Sequence, residues 1–357
     1  MARPALLAAA LLACLVLAPA AGARVPANFV GITAEDVFAG DANYRTSNLS
    51  AQAAIGIQTI RQTFDWSTIE RRRGRYDLRY HDDYVAKAAA HGIRIVPVLF
   101  RPPRFRARRR GRAVCPPRRN ATFARFAKAL VRRYGRRGSL WRRRPGVPKR
   151  PITSWQIWNE PNLGIYWCNR PNARRYVRML RRVGRAIKRV DRRAHILTAG
   201  LPPSKLRSAV PLERYIKRMY RAGARRAFDS LAINSYAKNH RALRRLLRSV
   251  RRLMNRRRDR RGGIWITELG WGDRGPKHRF IVGAKGQAKR IRKSYAVIRK
   301  VRRRLRLRGV VYYSWRDAPP YPPRYKDLWG LHTGLLDING GFKPAFHSFK
   351  NAVARLR

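Results

Sequence analysis

Short apolar runs alternate with longer helical patterns along the chain, and this alternation occurs eight times. The runs are rich in β-branched residues and are bounded by Gly, Pro, Asn or Asp, which is typical of strands. They are nearly continuous in hydrophobicity, as expected for parallel strands that are buried on both faces. We expect strands at 28–33, 59–64, 93–100, 152–159, 195–200, 229–236, 263–269 and 309–315.

Helical periodicity fills the segments between these runs. At 121–135, for example, Phe123, Phe126 and Leu130 recur at helical spacing. An eightfold strand–helix alternation predicts one α/β domain, a (β/α)8 TIM barrel. The alternative, a doubly wound open sheet, usually carries a glycine-rich phosphate turn after its first strand. The sequence GITAEDVFAGD at 31–41 contains no such turn. Further helical patterns lie at 77–92, 172–190, 284–305 and about 344–356.

The N-terminus is typical of a secretory signal peptide. Arg3 supplies a positive charge, 5–18 is apolar, and an A-G-A sequence ends at Ala23. The apolar run is short for a membrane span, and no later stretch is apolar enough for one. Lipoprotein processing at Cys14 is the alternative, but apolar sequence continues after that cysteine. We expect residues 1–23 to be removed and a secreted domain to cover 24–357.

Two cysteines, Cys115 and Cys168, remain after such cleavage. Exported compartments permit disulfides, and a pair with no third thiol is what a single bridge leaves. The alternative is two unrelated buried thiols. The two cysteines follow the third and fourth predicted strands, so a bridge would lie on the rim of the barrel.

The chain is strongly basic, with 84 Lys and Arg against 18 Asp and Glu and a formal net charge of +66. Such a charge attracts polyanions and disfavours close self-association, so we expect a monomer. Basic residues fill helical segments throughout, which favours solvated faces over a dedicated polyanion site. A dense cluster at Arg104–Arg112 either contacts an anionic substrate or is a solvated loop, which we favour. No nucleic-acid motif is recognisable.

Glutamate is scarce, and two of the five Glu residues end predicted strands. Glu160 lies in SWQIWNEPN at 154–162, after the fourth strand, and Glu268 lies in WITELGW at 265–271, after the seventh. Barrel active sites lie at the carboxyl ends of the strands, so both carboxylates are expected at one axial site. One protonated and one ionised carboxylate are what glycosidic bond cleavage requires, at about 5–5.5 Å in retaining enzymes.

These two motifs, in this order, resemble the retaining (β/α)8 glycoside hydrolases of clan A. The segment at 60–99 is similar to the family 5 and family 39 branches of that clan, and 329–349 resembles their closing segment. The resemblance covers nearly the whole mature chain. It implies a secreted hydrolase that cleaves a β-linked polysaccharide or oligosaccharide by double displacement. We favour internal cleavage, because an aromatic-rich rim suits an extended chain.

The resemblance also implies residue roles, with Glu160 as the acid/base and Glu268 as the nucleophile. Many relatives carry a His two residues before the strand-six Tyr, where this chain has Asn234, so that subsite contact is in doubt. The other implied roles are a sugar hydroxyl contact for Asn159, a hydrogen bond to Glu268 for Tyr236, a sugar platform for Trp315 and support of the nucleophile for Arg61.

Each of these residues also has a purely structural interpretation. Trp66, Trp167 and Trp271 are as readily packing residues as sugar platforms, and Asp273 and Asp317 are weaker candidates. No His has metal-ligand spacing with another His or with Cys, so we expect neither a catalytic metal nor a cofactor. The rival functions are a non-catalytic glycan-binding barrel and a polyanion-binding protein. The sequence does not name the sugar.

Overall fold

A computed structural model describes residues 25–108, 114–320 and 327–356. Eight parallel strands follow one another in sequence order and close into a barrel, because the first strand pairs with both the second and the last. The predicted α/β fold, a (β/α)8 barrel, is confirmed. The strands are β1 (Val30–Thr33), β2 (Thr59–Asp65), β3 (Arg94–Phe100), β4 (Ser154–Ile157), β5 (His195–Leu197), β6 (Ser230–Asn234), β7 (Gly263–Glu268) and β8 (Leu307–Tyr313).

Helices surround the barrel and bury one apolar face each against it. In the longest ones the buried positions recur at helical spacing, as with Tyr176, Leu180, Val183 and Ile187, while Arg182 on the same helix is exposed. The helices are α1 (Glu35–Ala39), α2 (Ala42–Ala54), α3 (Trp66–Ile69), α4 (Arg79–Ala90), α5 (Asn120–Tyr134), α6 (Ser139–Arg143), α7 (Ala173–Val190), α8 (Leu212–Arg221), α9 (His240–Arg256), α10 (Ala284–Val301) and α11 (Pro344–Ala354).

The core has two layers. A small cluster of Val96, Leu197, Trp265 and Val311 fills the barrel interior, and a much larger apolar layer lies between the strands and the helices. Gly309 leaves space for the indole in the interior, because a Cβ at this position would lie 2.9 Å from the Trp265 ring. This packed interior closes the lower part of the barrel, so a ligand can enter only from an end.

A disulfide joins Cys115 to Cys168, as predicted, with a Cα–Cα distance of 4.7 Å. It connects the loops that follow β3 and β4. The two loops are also joined through the backbone, since Val114 N donates to Ile165 O and Cys168 N donates to Val114 O.

Some predictions lie outside the described residues. These are the signal peptide at 1–23, the alternative lipid anchor at Cys14, and residues 109–112 of the arginine cluster. Among the described helices, none has the length and apolar character needed to cross a membrane.

Candidate active site

The chain turns sharply after β4 and places Glu160 at the mouth of the barrel. Trp158 and Glu160 both have positive φ, 76° and 44°, a conformation that residues with a side chain rarely adopt. Packing holds the turn, because the buried Trp158 ring contacts Phe100 and Trp167 edge to face. The Glu160 amide donates to Gly200 O, which anchors the acid-bearing loop to the chain after β5.

Glu268 ends β7 and is held by a cation and a phenol. Arg61 Nη1 lies 2.9 Å from Glu268 Oε1, and Tyr236 OH donates to Glu268 Oε2 over 2.5 Å. Burial and the nearby Glu268 charge raise the pKa of Tyr236 well above its usual range, so this phenol keeps its proton. Tyr236 therefore hydrogen-bonds one Glu268 oxygen, and the Arg61 guanidinium forms an ion pair with the other.

Arg61 organises more of the site than the sequence indicates. From β2 it donates through Nε to Gln156 Oε1 at 2.8 Å and through Nη2 to Asn159 Oδ1 at 2.9 Å. Because Arg61 binds the Asn159 amide oxygen, the Asn159 amide nitrogen can donate to another group. Gln156 is fully buried and was not predicted as a site residue, although a polar residue in the apolar run of β4 is an available signal.

Glu160 has a neutral partner. Asn234 Nδ2 donates to Glu160 Oε1 over 2.6 Å. Burial, followed by repulsion from the Glu268 carboxylate, raises the pKa of Glu160 to about 8, against smaller opposing effects of Asn234 and Arg61. Glu160 is therefore protonated at neutral pH. The two carboxylates face the same axis in different surroundings, Glu160 buried beside a neutral amide and Glu268 paired with a guanidinium.

Trp315 does not lie where the prediction placed it. Its side chain is fully buried, its indole Nε1 donates to Asn48 Oδ1 on α2, and its ring packs against Phe346 on α11. The ring lies between the barrel and its helices and presents no face to a sugar. The prediction that Trp315 forms a sugar platform is therefore wrong.

Tyr313, the last residue of β8, is an aromatic residue of the candidate site that the sequence analysis missed. It shares a face of β8 with Val311, whose side chain fills the barrel interior, so Tyr313 is directed toward the axis above it. It is partly exposed and lies near enough to Tyr236 to raise the pKa of that phenol. The period-2 alternation of the strand was the signal that could have found it.

Three other tryptophans considered as platforms are also buried. Trp66 donates to Glu70 and stacks on Phe123, and Trp271 donates to Ala237 O. Trp167 is likewise buried and packs on Trp158. These rings are packing residues, which removes most of the aromatic rim that favoured internal cleavage.

Trp329 is a second aromatic residue beside the candidate site that the sequence analysis missed. It is partly exposed, packs edge to face on Tyr236 at 4.9 Å and stacks on His278 at 5.4 Å. Asp273 and Asp317, the weaker candidates, instead bind the buried Lys343 ammonium at 2.7 and 2.6 Å. This ion cluster ties together the loops after β7 and β8.

Within the described ranges, no group of three His, Cys, Asp or Glu side chains is arranged to hold a metal ion.

No family model matches the sequence, and no curated protein matches it. Solved structures with a similar fold exist. A family 39 glycoside hydrolase from Bacteroides cellulosilyticus WH2 is 17% identical, with a TM-score of 0.65, 93% of this chain covered and 64% of that one. The chain thus spans somewhat less than two thirds of that structure.

Two further structures are similar. A family 39 β-xylosidase from Caulobacter crescentus is 18% identical, with a TM-score of 0.67 and coverage of 93% of this chain and 72% of that one. A GH5_18 protein from Streptomyces cattleya, in complex with Manb1-4GlcNAc, is 15% identical, with a TM-score of 0.65 and coverage of 92% and 81%. These likenesses match the fold that the sequence resemblance implied.

Proposed function

We propose that this chain is a secreted retaining glycoside hydrolase that cleaves a β-linked glycan by double displacement. The observation that carries the proposal is the contrast between two carboxylates at one barrel mouth. Glu160 is buried beside a neutral amide and has a raised pKa, whereas Glu268 is paired with Arg61. The similar fold of a β-xylosidase and of a protein solved with Manb1-4GlcNAc supports a β-linked substrate.

In the first step, Glu268 attacks the anomeric carbon and Glu160 gives its proton to the glycosidic oxygen. The bond between that carbon and that oxygen breaks, and its electron pair leaves with the protonated oxygen. Arg61 and Tyr236 hold the attacking carboxylate in place. Asn159, oriented by Arg61, donates to the hydroxyl next to the reacting carbon, and this bond strengthens in the transition state.

In the second step, water releases the sugar from Glu268. Glu160 is now a carboxylate and takes a proton from the water, while the water oxygen forms a bond to the anomeric carbon. The bond to Glu268 breaks and its electron pair returns to the carboxylate. Two displacements on the same carbon retain the anomeric configuration.

A polyanion-binding protein is the second candidate, because one surface feature favours it. A groove of about 680 Å³ between α7 and α8 is lined by five arginines and no carboxylate. The lining arginines are Arg174, Arg178, Arg181, Arg218 and Arg221. Similar arginine-rich surfaces lie elsewhere on the helices, which weakens the argument for a dedicated site.

The first test is release of reducing ends from neutral β-glucans, mannans, xylans and uronate-containing polymers, with aryl β-glycosides to detect terminal cleavage. We expect hydrolysis of at least one substrate and at least about a hundredfold loss in Glu268→Gln. Glu213→Gln, at an exposed glutamate on α8, is the matched control and should keep full activity.

Two outcomes would contradict the proposal. Binding of a glycan without hydrolysis would indicate a non-catalytic barrel. Binding of polyanions alone, with an affinity that falls steeply with salt, would instead favour the second candidate.

A further inference from the structure

We infer that Asn234 is a positioning residue for the acid/base: it occupies Oε1 of Glu160, so that Oε2 carries the proton delivered to the leaving group. The inference rests on the proposed function. It gives a role to the position at which this chain departs from the resemblance, because many relatives carry a histidine where this chain has Asn234.

A hydrogen bond from the neighbouring strand orients the Asn234 amide. Thr267 Oγ1, immediately before the nucleophile in β7, donates to Asn234 Oδ1 over 2.8 Å. With Thr267 Oγ1 donating to Oδ1, the other end of the amide, Nδ2, faces Glu160 Oε1. Asn234 and Thr267 are fully buried, so water does not compete for either bond.

Gly200 makes room for this arrangement. A Cβ at this position would lie 2.1 Å from Asn234 Oδ1 and 2.7 Å from Thr267 Oγ1, so any side chain would displace the amide. The Gly200 carbonyl also accepts the Glu160 amide N–H. The chain after β5 therefore supports both partners of the hydrogen bond between Asn234 and Glu160.

An amide suits an acid/base that must change protonation during each turnover. Asn234 Nδ2 donates in both states and cannot take up the proton, so it never competes with substrate or water for it. With Oε1 facing an N–H, the proton of neutral Glu160 is confined to Oε2. When Glu160 is ionised, the same bond becomes charge-assisted and stabilises the carboxylate.

The test compares leaving groups in Asn234→Leu, which keeps the branched shape of the side chain but has no hydrogen-bond donor. For aryl β-glycosides with poor leaving groups we expect kcat/KM to fall about a hundredfold, since general acid catalysis contributes about 10²–10⁴. For dinitrophenyl glycosides, which need no proton, we expect less than about a threefold change. Thr267→Val removes only the hydrogen bond that orients the Asn234 amide. It should show the same dependence on the leaving group, with a smaller loss of kcat/KM.

The pH profile gives a second readout. Loss of a donor to the ionised carboxylate raises the pKa of Glu160, so the basic limb of kcat/KM should move to higher pH in both variants. A rate loss equal for all leaving groups, with an unmoved basic limb, would overturn the inference and make Asn234 a substrate contact.

A titration without substrate separates this inference from the proposed function. The chain has five glutamates, so ¹³C labelling of glutamate carboxyls gives five signals, and Glu160 is assigned with Glu160→Gln. We expect Glu160 to titrate at higher pH in Thr267→Val than in the unsubstituted protein. If the protein hydrolyses nothing but this shift occurs, only the proposed function fails. If hydrolysis is found and the titration is unchanged, the positioning role is wrong.

Discussion

Glu160 and Glu268 face one axis from β4 and β7, but their surroundings differ in charge and in backbone. Glu268 ends a regular strand between a guanidinium and a phenol. Glu160 lies in a turn with positive φ, beside a single neutral amide. The same functional group thus becomes a charge-compensated carboxylate at one position and a proton carrier at the other. Burial and the position of the Arg61 charge, rather than the choice of acid, distinguish the two carboxylates.

The difference should be greatest when each carboxylate is removed. Glu268→Gly lacks the attacking oxygen, so we expect at least about a 10⁴-fold loss of kcat/KM for every leaving group. Added azide can enter from the vacated side in one displacement and should give the glycosyl azide of inverted configuration. NMR of the product decides this, and an azide product of retained configuration would show that Glu268 is not the nucleophile.

Glu160→Ala should lose activity selectively. We expect about a 10³-fold loss for poor leaving groups and little loss in the first step for dinitrophenyl glycosides, whose glycosyl-enzyme should then accumulate. Azide needs no general base, so it should restore turnover and give the azide of retained configuration. The steady-state rates and product NMR are the measurements, and equal losses for all leaving groups would exclude Glu160 as the acid.

Substitution of the two carboxylates should also change the free energy of unfolding in opposite directions. Folding raises the pKa of Glu160. Its contribution to the free energy of unfolding is therefore fully present below pH 4.5, the usual pKa of Glu, and is lost as the pH rises through about 8. Glu160→Gln cannot titrate, so it does not lose stability in this way. The free energy of unfolding of this variant, relative to that of the unsubstituted protein, should increase by roughly 3 kcal/mol between pH 5 and pH 8.5.

Glu268→Gln should instead destabilise the protein at both of these pH values, because it leaves the buried Arg61 guanidinium without its counter-charge, at a cost of about 3–5 kcal/mol. Urea unfolding of both variants at pH 5 and pH 8.5 measures the comparison. A stability difference for Glu160→Gln that does not change with pH would contradict the raised pKa.

The regular part of the molecule could be predicted from the sequence. Strands buried on both faces must be apolar, and the carboxyl ends of parallel strands must meet at one edge. These two constraints located the barrel and placed Glu160 and Glu268 at its mouth.

Predictions failed where regular structure ends. Trp315 lies beyond the last residue of β8, and the alternation that directs Tyr313 toward the axis no longer applies to it. The bond between Asn234 and Glu160 depends on a glycine in a third segment and on an irregular turn, neither of which periodicity reports. Side-chain burial on the loops depends on what packs above them, which the local sequence does not specify.

The smallest expected effect concerns the hydroxyl of Tyr236, which is the counterpart of the Asn234 amide on the other carboxylate. Tyr236→Phe keeps the ring packed on Trp329 and removes the hydrogen bond to Glu268 Oε2. We expect kcat/KM to fall about tenfold, because Arg61 still holds the nucleophile and the lost bond is to a charged group. Since the affected atom is on the attacking side, the loss should be similar for good and poor leaving groups. A leaving-group dependence like that of Asn234→Leu would mean that Tyr236 acts on proton delivery rather than on the attacking carboxylate, and the division between the two carboxylates would be wrong.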